Sequence, residues 1–325
     1  GIFTATTGRI SFYFRMTNLP TGTNILLKVD TSASATVVRI QVTSTGILQL
    51  AEATNQIGPN GSTLSTGTWY RLCLAWSVTS TTVNQFYLFK DAVSDISVVN
   101  ATITNTAVNK FQAGWISVSV GNNQIWRFDD FYANDLGALV DPGNVKVTSK
   151  RPNANGAVTD FVTQIGSGGS GYGTGHSPQV NEQPLNEANG WSVAAVAATT
   201  EEYAIEGAAT GDVDISSATL VDFMGWLRTK ALVAETGKII VDNVSSDISI
   251  TTSPATFTKA ATKTVYPSGG TVIGEITSAT VTTVSLYECG IIFAYQPGAA
   301  AEGHPTMRRW GGIPHLLTGQ RGGTW

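Results

Sequence analysis

Apolar and polar residues alternate along much of the chain with a period of two. From Arg9 to Met16, Ile10, Phe12, Phe14 and Met16 fall on one face and Arg9, Ser11, Tyr13 and Arg15 on the other, which predicts a half-buried strand. The same period returns in Asn24 to Val29, Val37 to Val42 and Gly46 to Ala51. It is clearest from Thr68 to Val78, where Tyr70, Leu72, Leu74, Trp76 and Val78 alternate with Trp69, Arg71, Cys73, Ala75 and Ser77. Gln85 to Lys90, Trp115 to Val120 and Gln124 to Tyr132 extend the series, with Thr, Ser, Gly and Asn in the gaps. Many short strands separated by turn residues predict a β-sandwich.

A composition shift after Asp141-Pro142-Gly143 predicts a boundary, with a first domain over 1–142 and a second over 143–296. The second reads as strands at Asn144 to Val147, from Trp191, from Glu201, at Leu220 to Ala234, Gly237 to Val244, Thr271 to Ile276 and Val284 to Tyr295. The stretch WSVAAVAATTEEYAIE has a helix-compatible composition, but Thr199-Thr200 interrupts it and its neighbours are strands, so strands are expected. Residues 297–325 carry Pro, Gly, Arg308, Arg309 and two Trp but no alternation. Such a segment builds no core alone, and Arg308, Arg309, Trp310, Leu316, Leu317 and Trp325 are expected to contact another subunit as an extended arm.

Composition narrows the function classes. Of 325 residues, 42% are hydrophobic and only 13% charged, so Ser, Thr, Asn and Gly must cover the surface. With 19 scattered Lys and Arg and a net charge of −4, the chain lacks the basic footprint for nucleic acid. No apolar run approaches the roughly 18 residues of a membrane helix, so no membrane partner is expected. The chain begins at Gly1 rather than Met, which leaves a cleaved upstream signal open. Cys73 and Cys289 each sit inside an apolar alternating run and read as buried free thiols.

Three segments of the first half carry a resemblance. STGTWYRLCLAW (65–76), FYLFKD (86–91) and IWRFDDFYAND (125–135) resemble, in order and spacing, signposts of the laminin-G/concanavalin-like family. One departure is that the family's usual Asp-Gly hairpin is Asp91-Ala92 here. In the second half, NVKVTSKRPNANGAVTDF, VNEQP, VDFMGWLRTKALVAETGKIIV, TKTVYPSGGTVIGEIT and VTTVSLYECGIIFA resemble the segment that follows such a domain in tailed-phage virion proteins. There the family's Asp-Pro and Trp near the end are replaced by Gly274-Glu275-Ile276-Thr277. The resemblance implies an all-β fold: a concanavalin/laminin-G-like jelly roll, a smaller second β-sandwich and the extended arm. It also implies a capsid decoration or tail-surface subunit, assembled in the host cytoplasm and displayed on the virion. Its partners would be other virion proteins and copies of itself, a trimer being common for such subunits.

Candidate chemistry is sparse. A glycosidase needs two carboxylates flanking the scissile bond, yet residues 1–142 hold one glutamate, Glu52. Asp129 and Asp130 are neighbours on a predicted strand and should point to opposite faces. No catalytic residues are therefore expected, and no cofactor. The family resemblance permits calcium at Asp129 and Asp130, although no D-x-D-x-D-G loop accompanies them, and one Asp bonded to a neighbouring loop with the other solvated is the plainer reading. Trp69, Trp115 and Trp126 could present rings to a glycan, as in a lectin-like adhesin, or pack at the core rim. The glycine-rich stretch 166–175 lacks the Lys-Ser or Lys-Thr of a phosphate loop and reads as a plain loop. His176, His304 and His315 are too separated for a spaced metal motif.

Overall fold

The computed structural model describes residues 6–114, 125–135, 139–160, 163–165, 190–195, 199–209, 214–241, 244–260, 270–276, 282–297 and 317–318. Every regular element among them is a strand, and the chain divides into two compact units. The first runs to Lys146 and includes the short strand at Leu317–Thr318; the second starts at Val147.

The first unit contains β1 (Thr7–Met16), β2 (Asn24–Asp30), β3 (Thr36–Val42), β4 (Leu48–Glu52), β5 (Asn55–Ile57), β6 (Tyr70–Val78), β7 (Asn84–Lys90), β8 (Val93–Ala101), β9 (Lys110–Ala113) and β10 (Trp126–Asn134). One sheet has the order β10-β1-β6-β7-β8 and the other β5-β4-β3-β2-β9. The alternating apolar positions meet in one core: Phe12, Phe14, Leu72, Leu74, Trp76, Phe86 and Leu88 from the first sheet and Val38, Ile40, Val42, Leu48 and Leu50 from the second are all buried. This is a sandwich of the jelly-roll type.

The second unit contains β11 (Lys146–Lys150), whose first residue still belongs to the first unit, β12 (Pro152–Thr159), β13 (Thr163–Ile165), β14 (Gly190–Ala195), β15 (Thr199–Ile205), β16 (Thr219–Ala231), β17 (Glu235–Val241), β18 (Val244–Ile250), β19 (Ala255–Ala260), β20 (Gly270–Ile276) and β21 (Thr282–Gln296). Its sheets run β13-β14-β21-β16-β19, with β11 also on β21, and β12-β15-β20-β17-β18. Tyr203, Phe223, Leu227, Ile239, Val241, Ile291 and Phe293 form its core. At Gly225, between Phe223 and Leu227, a Cβ would lie 2.1 Å from Val241 Cγ2, so only glycine fits there without displacing a neighbour. The helix-compatible stretch is indeed two strands, β14 and β15.

β22 (Leu317–Thr318), from the C-terminal stretch, pairs parallel to β10 at Tyr132 and Ala133. It extends the first unit's sheet by one short strand.

The Asp91-Ala92 departure does not change the hairpin. Lys90 pairs with Val93, and both loop residues have positive φ, 51° and 72°, the geometry of a two-residue type I′ turn. The Asp91 carboxylate accepts the Arg71 N–H at 2.9 Å, tying the turn to β6. Alanine in the left-handed region costs about 1 kcal/mol. Ala92→Gly is therefore expected to raise stability by about that amount, read as a higher urea midpoint at unchanged m-value; a lower midpoint would contradict the turn assignment.

Candidate functional site

Of the aromatic candidates, Trp126 packs against the core. Trp126 opens β10 half-buried, edge-on to Phe14 with ring centroids 5.5 Å apart, and joins Phe12, Phe128 and Phe131 against the core. Trp69 is half-buried immediately before β6. Trp115 lies outside the described residues, as do Arg308, Arg309, Trp310, Leu316 and Trp325; Leu317 is in β22.

Asp129 and Asp130 depart from simple alternation. Tyr13 pairs with Asp129 and Ser11 with Tyr132, so β10 carries an extra residue opposite β1, and Asp130 takes a positive φ of 50°. This bulge resets the parity of the strand, which is why Phe128 and Phe131 can both pack on the core. The expectation of opposite faces is corrected accordingly, since a left-handed residue interrupts the pleat. Asp129 is exposed and its carboxylate accepts the Asp130 N–H at 2.9 Å. Asp130 pairs with Lys146 at 2.9 Å, and the same ammonium sits 3.8 Å from the Tyr13 ring centroid. Among the described residues no three His, Cys, Asp or Glu side chains gather as a metal site.

This ion pair belongs to a polar seam on the outer face of β1 and β6. Tyr13 donates to Asn144 Oδ1 at 2.6 Å, and the buried Arg71 guanidinium donates to the Asp141 carboxylate and the Gly143 carbonyl. Burial is the main cause that pushes the Tyr13 phenol upward, with Lys146 and Arg71 opposing it. The seam fastens residues 139–146 across the sheet; its charges are spent on one another.

Glu52, the lone glutamate before Gly143, is buried at the end of β4. Its Oε1 accepts the backbone N–H groups of Thr104 at 2.6 Å and Asn105 at 3.0 Å. It closes a loop rather than facing a substrate. Glu52→Ala is expected to cost roughly 2 kcal/mol, because two N–H groups lose a charged acceptor; a urea midpoint equal to that of the parent would refute this role.

The other sheet presents a polar face on β3, β4 and β5. Gln41 donates to Gln49 Oε1 at 3.0 Å, Gln49 to Gln56 Oε1 at 3.1 Å and to Asn60 Oδ1 at 2.8 Å, and Gln56 to Asn60 Oδ1 at 3.0 Å. An amide ladder thus crosses β3, β4 and β5. In the adjacent cross-strand row, Lys28, Arg39, Ala51 and Gln56 stand opposite one another. Lys28 is paired with Asp30 at 3.0 Å, whereas Arg39 is half-buried, has no carboxylate partner among the described residues, and keeps a shielded Nε with no hydrogen bond. Burial holds its pKa below the ordinary guanidinium value. Gln41, 6% exposed, leaves Oε1 shielded and unbonded, at a cost of roughly 1–3 kcal/mol. A signal was present in the sequence: the polar positions of TVVRIQV and LQLAE are Arg and Gln where most of the coat is Ser, Thr and Asn.

No protein family and no curated protein matches the sequence. Among solved structures, a SAP-like pentraxin from Limulus polyphemus is 14% identical over 42% of this chain and 67% of its own, with a TM-score of 0.31. An endo-β-1,4-glucuronan lyase from Trichoderma reesei is 16% identical over 43% of this chain and 73% of its own, with a TM-score of 0.35. A sialidase is 10% identical over 41% of this chain, which spans only 14% of the sialidase, with a TM-score of 0.31. By its own strand order and core, the chain is an all-β protein whose first unit is a concanavalin-like jelly-roll sandwich.

Proposed function

We propose that this chain is a non-catalytic structural subunit of a tailed-phage virion, a capsid decoration or tail-surface protein that displays its first sandwich. The observation that carries this reading is the order of parts: two β-sandwich units, then a C-terminal stretch whose Leu317–Thr318 adds to a sheet edge. A strand that completes an edge can equally complete that of a neighbouring copy, as the arm reading requires. The commitment of Glu52 to a loop and of Asp130 to Lys146 supports the absence of catalysis in this unit. The resemblance in the sequence supplies the phage context, and with it location on the particle surface and contacts with other virion proteins and with copies of this chain. Immunogold electron microscopy and mass spectrometry of the purified source particle test the proposal; absence of the chain from the particle would refute it. Light scattering with and without residues 297–325 tests the arm, and an unchanged assembly on truncation would rule it out.

A second reading, a lectin-like adhesin for a host or environmental polysaccharide, is favoured by one observation, an Arg39 with no carboxylate partner among the described residues beside the amide ladder. The two readings are compatible, since a displayed subunit can also adhere.

A further inference from the structure

We infer that the outer face of β3, β4 and β5 binds a carboxylated polysaccharide, Arg39 pairing with a uronate carboxylate and Gln41, Gln49, Gln56 and Asn60 bonding the sugar hydroxyls. The inference rests on the adhesin reading and gives it a site and a ligand class.

Three features of the face select this occupant. The first is charge. The Asp30 carboxylate neutralises Lys28, so the uncompensated cation of the row is Arg39. A half-buried guanidinium without a carboxylate among the described residues favours an incoming planar anion, and a carboxylate fits its fork with two parallel hydrogen bonds. The second is the ladder. Each amide offers a donor and an acceptor, and their mutual bonds hold them in place before a ligand arrives, so less freedom is lost on binding. The shielded Gln41 Oε1 is an acceptor still lacking a donor. The third is spacing. Gln41, Gln49 and Gln56 come from three successive strands, about 4.8 Å apart, so an extended polymer laid across the strands meets a polar group at each step.

A nucleic acid also offers anions, but it needs a basic field, and here one guanidinium stands on a chain of net charge −4. A neutral glycan would use the ladder and leave Arg39 unpaired.

The test is calorimetric titration of the full chain with tetragalacturonate and with a mixed mannuronate–guluronate tetramer, against cellotetraose and a 12-nucleotide single-stranded DNA. At least one uronate tetramer is expected to bind at least tenfold more tightly than cellotetraose or the DNA. Arg39→Gln is expected to weaken it at least tenfold, and Gln49→Ala by a smaller factor, both with thermal midpoints close to that of the parent. Arg39→Lys keeps the charge but loses the fork and is expected to recover only part of the affinity; it also serves if Arg39→Gln folds poorly. Failure of both uronates to bind, equal binding of cellotetraose, or tighter binding of the DNA overturns the inference. Uronate binding that survives both substitutions also overturns it, while leaving the adhesin reading intact with the sugar elsewhere.

Discussion

Arg71→Ala is expected to destabilise the first unit by about 3–5 kcal/mol, the cost of removing one partner from a buried ion pair. Arg71 is 7% exposed on β6 and donates to the Asp141 carboxylate and the Gly143 carbonyl. Without it, among the described residues Asp141 keeps the Gly143 N–H, at 3.0 Å, to offset a shielded negative charge. The stretch that crosses the sheet would loosen with it, because Asn144 and Lys146 reach Tyr13 and Asp130 from the same segment. Urea unfolding followed by tryptophan fluorescence measures the loss. Removing both charges, as Arg71→Met with Asp141→Leu, is expected to restore most of the stability, since an apolar pair leaves no orphaned ion. A single variant within 1 kcal/mol of the parent would show that the seam does not anchor this segment.

Stability of the second unit is expected to fall steeply above about pH 9. Tyr203 is fully buried and Cys289 nearly so, and burial first, then nearby carboxylates, pushes both well above their ordinary values. For Tyr203 the carboxylate is that of Glu201, and for Cys289 those of Glu288 and Glu201. The folded state therefore holds both protons where the unfolded chain has released them. The contribution is complete below the unfolded values, about 8.5 for cysteine and about 10 for tyrosine, and is lost as pH climbs from there towards the folded ones. Above pH 10 the loss from the two groups together climbs towards a limit of roughly 3 kcal/mol per pH unit. Urea midpoints at pH 8 and 10.5 should differ accordingly, and Tyr203→Phe should flatten the slope above pH 10 by about half. Neither thiol should react with Ellman's reagent in the folded protein, because Cys73 is buried as well and its pKa is raised. Equal stability at the two pH values would contradict the assignment.

The strands that alternation missed share one position. β5, β8, β9, β12, β13, β18, β19 and β22 are the ends of the four sheets, while the anticipated strands with described structure lie inward of them or, in β11, beside β21. The reason is physical: an inner strand is written in apolar residues because both neighbours and the core shield it, as in β6, where even Arg71, Cys73 and Ala75 are buried. An edge strand is half relieved of that demand. β8 leaves Val93 and Val99 exposed, β12 starts with Pro152 and contains Gly156, and β9 is four residues long. The candidate site was legible to a lesser degree for a related reason. Tryptophan and paired acids stand out in a sequence; in the structure Trp126 packs edge-on to Phe14 and Asp130 pairs with Lys146. Arg39 and three glutamines stood at ordinary polar positions, and nothing local reveals which carboxylate a distant arginine lacks.

The bulge at Asp130 has a consequence for the virion subunit proposed above. Except where β22 pairs with it, the outer side of β10 is a sheet edge, and a long flat one would be a template on which further chains could stack without limit. The left-handed residue bends it and divides it in two. Leu317–Thr318 occupies part of the stretch beyond the bulge, Tyr132 and Ala133, which shortens the edge left for a stray strand. Growth of the sheet would thereby be limited to a short, self-terminating addition, and in the proposed array the subunits would stay an ordered layer instead of becoming a fibre.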